Sequence, residues 1–136
     1  MPSRPTAYGR APDPGLVMSD AMDNEQNMGL IRELLLRRPD IGGIFASVER
    51  LAISAYRVCH ELGHRIPQDI KVSGFSNLEA ALLLDPPLST ITQPAYDIGR
   101  EAAKILLRAV EKKKAVLPGQ SLVLESALFV RRSTGG

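Results

Sequence analysis

The chain has 136 residues, 44% hydrophobic and 24% charged, with 17 basic and 15 acidic side chains for a formal net charge of +2. That length suits one domain with its own core, and the composition excludes a disordered segment or a coiled coil. The near-balanced charge, with Lys and Arg spread along the chain, singles out no nucleic-acid or membrane partner.

A single cysteine, Cys59, rules out an internal disulfide and suits a reducing compartment, so the cytoplasm is the expected location. No run approaches the roughly 18 apolar residues of a membrane helix, and the N-terminus lacks a signal-peptide plan. Residues 1–14 are rich in Pro, Gly, Ser and Arg and show no period, which reads as a poorly ordered lead-in or cloning remnant. The domain is expected over 15–136.

Leu16-Val17-Met18 is short and apolar and suggests an edge strand. Met28, Leu30, Ile31, Leu34 and Leu35 then recur at helical spacing between Asp23 or Asn24, either of which can cap, and Pro39, predicting a helix over 24–38. Gly43-Ile-Phe-Ala46 reads as a short apolar strand ending in Ser47. Leu51, Ala55, Val58 and Leu62 form the stripe of a second helix over 49–62, with Ala52 and Cys59 beside it and Gly63 placed to end it. Pro67 and Asp69 supply a turn, and Ile70 to Phe75 a second strand, about 28 residues after the first. That order fits a βαβ unit in a parallel sheet.

Leu78 to Leu84 suits a brief helix that Asp85-Pro86-Pro87 must stop. Its Leu82-Leu83-Leu84 serves either the core or an exposed contact with a second subunit. Ser89 to Thr92 forms a third strand, and Gln93-Pro94 opens a long helix whose Ile98, Ala102, Ile105 and Ala109 share a face. Lys112-Lys113-Lys114 suits a solvated helix end, as the helix dipole favours. After the Pro118-Gly119 turn, residues 122–130 alternate as one or two strands, with a bend at Ser126. The fold class is therefore α/β, a three-layer arrangement of a mainly parallel sheet with helices on both faces.

In such sheets ligands bind beyond the carboxyl ends of the strands. Here those ends carry Ser47, Ser76-Asn77 and Gln93, with Glu49 just behind Ser47 at the start of a helix. Hydroxyls and amides suit a neutral polar ligand such as a sugar; the competing reading is that each only caps the helix that follows. No nucleophile elbow, zinc signature or phosphate loop occurs, so no catalytic residue, metal site or cofactor is expected. His60 and His64 are separated by Gly63 and lack further ligands, and Cys59 on the apolar stripe reads as a core residue.

Taken in order, Asp40-Ile-Gly-Gly-Ile-Phe-Ala46, Ile66-Pro-Gln-Asp-Ile-Lys-Val-Ser-Gly-Phe75, Pro86-Pro-Leu-Ser-Thr-Ile-Thr-Gln-Pro94, Ile98-Gly99 and Val130-Arg-Arg-Ser-Thr134 resemble the lactose-repressor/galactose-repressor (LacI/GalR) family of transcription regulators. The resemblance implies the C-terminal lobe of a two-lobed, periplasmic-binding-protein-like effector domain, without the N-terminal lobe or the DNA-binding headpiece. It implies a sugar-like effector, operator DNA bound only through that headpiece, and a homodimer. The dimer contacts map to Leu51, Ala55, Val58, Leu62 and Leu84. Where the family commonly has Asn-Asp and Asp-Asp after the first two strands, this chain has Ser47-Val48 and Ser76-Asn77. The alternative is a lobe of an exported sugar-binding protein of a transport system.

Overall fold

The computed structural model describes residues 14–18, 23–77, 79–111 and 121–136. Helix α1 spans Asn24–Arg37, strand β1 Gly43–Ala46, helix α2 Glu49–Glu61 and strand β2 Lys71–Phe75. Strand β3 spans Ser89–Thr92, helix α3 Ala95–Glu111 and strand β4 Ala127–Phe129. The four strands lie in the order β1-β2-β3-β4, with the first three parallel and β4 antiparallel to β3. The α/β class with a mainly parallel sheet follows directly from that order.

Local chemistry explains the element ends. Asp23, in extended conformation, caps α1 by accepting from the Glu25 amide at 3.1 Å. At the end of α2, Gly63 has φ +74°, a left-handed conformation that glycine adopts without a Cβ penalty. Its amide donates to His60 O, and the His64 amide to Cys59 O, the paired bonds of a Schellman stop. Beyond it, the Arg65 guanidinium meets both Asp69 carboxylate oxygens at 2.8 and 2.9 Å, and the Arg65 amide adds a third bond at 2.7 Å. This closed turn delivers buried Ile70 into β2.

Helix α2 lies on β1 and β2, and α1 packs against α2. Met28, Ile31 and Leu35 of α1 meet Ala55, Val58 and Cys59 of α2 in a core continuous with Ala46 and Val72 of the sheet. Burying each larger aliphatic side chain contributes roughly 1.5–3 kcal/mol. Gly74 brings β2 close to α2 and β1: a Cβ there would stand 3.3 Å from Ala46 O and 3.6 Å from Ala52 Cβ.

Three expectations need correction. Leu16-Val17-Met18 is not a strand: Pro14–Leu16 forms a 3-10 turn in which the Val17 amide donates back to Pro14 O, so that donor is satisfied locally. The brief helix before Pro86 is a 3-10 turn over Glu79–Leu82, because the following Asp85-Pro86-Pro87 leaves no room for helical propagation. The final extended segment forms strand only over Ala127–Phe129, since β3 offers four residues and its last, Thr92, already pairs with Ala127. Residues 1–13, Lys112-Lys113-Lys114 and Pro118-Gly119 lie outside the described residues.

The C-terminal segment is tied to the sheet by a polar clasp. The buried Ser133 hydroxyl accepts from the Ser89 amide at 2.7 Å and donates to Val72 O at 2.6 Å. The Arg131 amide donates to Ser89 Oγ at 2.7 Å, while its guanidinium donates to Leu88 O and Thr90 Oγ1. Thus Val130-Arg-Arg-Ser-Thr134 supplies the side chains that fasten the chain end between β2 and β3.

Candidate functional site

The parallel register sets three strand ends side by side. Ala46 pairs with Gly74, Gly74 with Thr90 and Phe75 with Ile91. The Ser76 amide continues the ladder by donating to Ile91 O at 3.0 Å. Ser47, Ser76-Asn77 and Gln93 therefore leave the sheet along one edge, with neighbouring strands about 4.8 Å apart. Ser47, Asn77 and Gln93 are exposed, Glu49 is half-buried in the first turn of α2, and Ser76 is buried.

The capping alternative can now be decided for Ser47. The N-cap of α2 is Val48, in extended conformation and without a side-chain cap bond, so Ser47 does not serve that role. Asn77 acts differently, its Oδ1 accepting from the Gln93 amide at 2.8 Å while its Nδ2 donates to Gln93 O at 2.9 Å. This two-point clamp joins the ends of β2 and β3. Its two ends lie 16 residues apart in sequence, which is why the sequence suggested only a ligand contact or a helix cap at Asn77. Tyr96 follows in the first turn of α3, 79% exposed, with the Arg100 guanidinium 5.9 Å from its ring centroid.

The edge is electrostatically mild. Its side chains are two hydroxyls, two amides and the Glu49 carboxylate, a set that matches hydroxyl donors and acceptors of a neutral ligand. Among the described residues no cluster of three His, Cys, Asp or Glu side chains could hold a metal ion. His60 and His64 fall on either side of the α2 stop.

A cavity of about 530 Å³ lies at the other end of the sheet, lined by Tyr56, His60, His64, Arg65, Asp85 and Arg132 among others. It contains none of the strand-end residues. Its cations have partners, Asp69 for Arg65 and Asp85 for Arg132 at 3.2 Å, and the Tyr56 hydroxyl donates to Pro86 O at 2.7 Å. Burial raises the Tyr56 phenol above its ordinary value.

The residues expected at a dimer contact divide sharply. Ala55 and Val58 are fully buried beneath α1 and against the sheet, so they belong to this chain's core and are not available to a second subunit. Leu51, Leu62 and Leu84 are half-buried at the margin of that core. Exposed apolar surface nearby comes instead from Ile53, Leu82 and Leu83, the last 86% exposed. Among the described residues no helix is long and apolar enough to cross a membrane.

Comparison with known proteins agrees with this architecture. The profile of the periplasmic binding protein-like domain matches residues 4–134. The ribose operon repressor of Halalkalibacterium halodurans is 34% identical over 121 residues, covering 89% of this chain and 36% of that protein. A transcriptional regulator CelR-cellobiose complex superimposes with a TM-score of 0.82 at 32% identity, over 93% of this chain and 38% of the other. A LacI-family regulator from Arthrobacter sp. FB24 in complex with lactose gives 0.69 at 28% identity, over 83% and 42%. The chain thus spans little more than a third of the curated relative's length. These relatives are named as transcriptional regulators, not as enzymes or transport proteins. The chain belongs to the periplasmic-binding-protein-like domain family, in the branch of LacI-family transcription regulators.

Proposed function

We propose that residues 15–136 form the C-terminal lobe of the effector-sensing and dimerising domain of a cytoplasmic, DNA-binding regulator, and that the strand-end edge holds one side of a sugar-like effector. The observation that carries this reading is the register of β1, β2 and β3, which sets Ser47, Ser76 and Gln93 on one edge with Glu49 beside them. The relatives named with ribose, cellobiose and lactose point to the same ligand class. Ser47, Ser76, Asn77 and Gln93 supply neutral donors and acceptors, and Glu49 a charged acceptor for a hydroxyl. In the intact regulator the effector shifts the balance between two arrangements of the lobes and so biases operator binding by the headpieces. The lobe acts within a homodimer, for which exposed Leu82 and Leu83, with half-buried Leu84, offer apolar contact surface.

Calorimetric titration of the complete regulator with ribose, cellobiose and lactose tests the reading. A sugar that binds should bind at least about tenfold more weakly to Ser47→Ala and Glu49→Gln, as expected when a hydrogen-bond partner of a hydroxyl is lost, with operator affinity changing when the sugar is present. Unchanged affinity in both variants would remove the effector from this edge. A complete reading frame without a helix-turn-helix segment would remove the regulator assignment.

A further inference from the structure

The clamp between Asn77 and Gln93 sits where the ligand-facing edge gives way to α3. Gln93 O accepts from Asn77 Nδ2 at 2.9 Å and from the Ala95 amide at 2.8 Å, so one carbonyl takes part in both the clamp and the entry to the helix. Helix α3 has no buried residue and does not pack broadly on any other described element. Its first turn begins at Gln93-Pro94, with the Ile98 amide donating to Pro94 O at 2.9 Å.

We propose that Asn77 is a positioning residue that latches the ligand-facing edge to the start of α3. A carboxamide suits this role because it accepts from the Gln93 amide and donates to the Gln93 carbonyl at the same time; an ionised carboxylate only accepts. The same side chain retains a second Nδ2 hydrogen and a second Oδ1 lone pair. A ligand hydroxyl at the edge can engage the group that holds α3, which couples occupancy to the course of the helix. That coupling rests on the effector reading above, whereas the latch is a property of the ligand-free chain and is tested there.

Amide exchange of the ligand-free chain, expressed as protection factors, separates the two. Asn77→Ala should lower protection at Gln93, Ala95 and Ile98 by about tenfold or more while α1 and α2 keep theirs. Asn77→Asp at about pH 7 still accepts from the Gln93 amide but cannot donate to Gln93 O, so it should lower protection at Ala95 and Ile98 while Gln93 keeps its own. It should recover toward the parent values as the pH falls from about 6 to about 3.5, because a protonated acid can both donate and accept. The parent should show no such recovery step. Unchanged protection at Gln93, Ala95 and Ile98 in Asn77→Ala, or an Asn77→Asp chain equally loose at Ala95 and Ile98 at both pH values, would overturn the latch. Neither result bears on whether a sugar binds the complete regulator, which the titration above reads separately.

Discussion

The Ser133 hydroxyl accepts the Ser89 amide at 2.7 Å, joining the last turn of the chain to the first residue of β3. The same hydroxyl donates to Val72 O at 2.6 Å, so one buried side chain stitches β2, β3 and the C-terminal segment together. Ser133→Ala leaves the buried Ser89 amide without this acceptor. The expected loss is about 1–3 kcal/mol, the typical penalty for a buried group that loses its partner. Urea denaturation should show a lower midpoint with little change in slope, and an unchanged midpoint would count against the clasp.

Gly74 meets α2 and β1 through space that only a missing side chain leaves. A Cβ at 3.3 Å from Ala46 O presses on backbone of a paired strand, which yields less readily than a flexible side chain. Gly74→Ala should therefore cost about 1–3 kcal/mol, and Gly74→Val more, in thermal or chemical denaturation. The opposite control is Gly42→Ala, where an added Cβ meets nothing within 4 Å.

The turn closed by Arg65 and Asp69 is pH-sensitive in a definite direction. Side-chain bonding from Arg65, then its backbone amide, hold the Asp69 carboxyl well below the usual carboxylate range. A depressed folded-state pKa contributes stability that is present above the unfolded value of about 4 and is lost as the pH falls through the folded value. The stability difference between the parent and Asp69→Asn should be constant above about pH 5 and close below about pH 4. Both groups lie at the surface, so the difference should also shrink in high salt. A gap that widens on acidification would refute this assignment.

Cys59 is fully inaccessible, and burial pushes its thiol up to about 11. Reaction requires both exposure and the thiolate, and at about pH 8 roughly one native thiol in a thousand is ionised. Iodoacetamide should therefore leave the folded chain unmodified over a period in which the urea-unfolded chain is fully alkylated. Fast labelling of the native chain would mean that α1 does not cover α2 as described.

Much of the scaffold was legible because it rests on local chemistry. Asp23 as a cap, Gly63 as a left-handed stop and Pro94 ahead of α3 each act within a few residues; the strands over 43–46 and 71–75 follow from short apolar runs between turn signals, and that over 89–92 from β-branched Thr and Ile ahead of Gln93-Pro94. The strand-end positions of Ser47, Ser76, Asn77 and Gln93 could be read for the same reason. Less legible was what their side chains do there. Asn77 reaches Gln93 across 16 residues, and Ser133 reaches Ser89 across 44, and no local period records such a meeting.

The two strongest apolar stripes show where the sequence stops deciding. By itself it determined that α2 and α3 each have a face to cover, since periodic spacing puts apolar residues on one side of any helix those segments form. Only the tertiary structure decided what covers them. The stripe through Ala55 and Val58, mapped to a subunit contact by the family resemblance, is closed by α1 and the sheet within this chain, whereas Ile98 and Leu106 of α3 remain exposed. An amphipathic pattern records that burial is favourable; which surface supplies it depends on strand order, register and the course of the chain between helices, and these are properties of the folded whole.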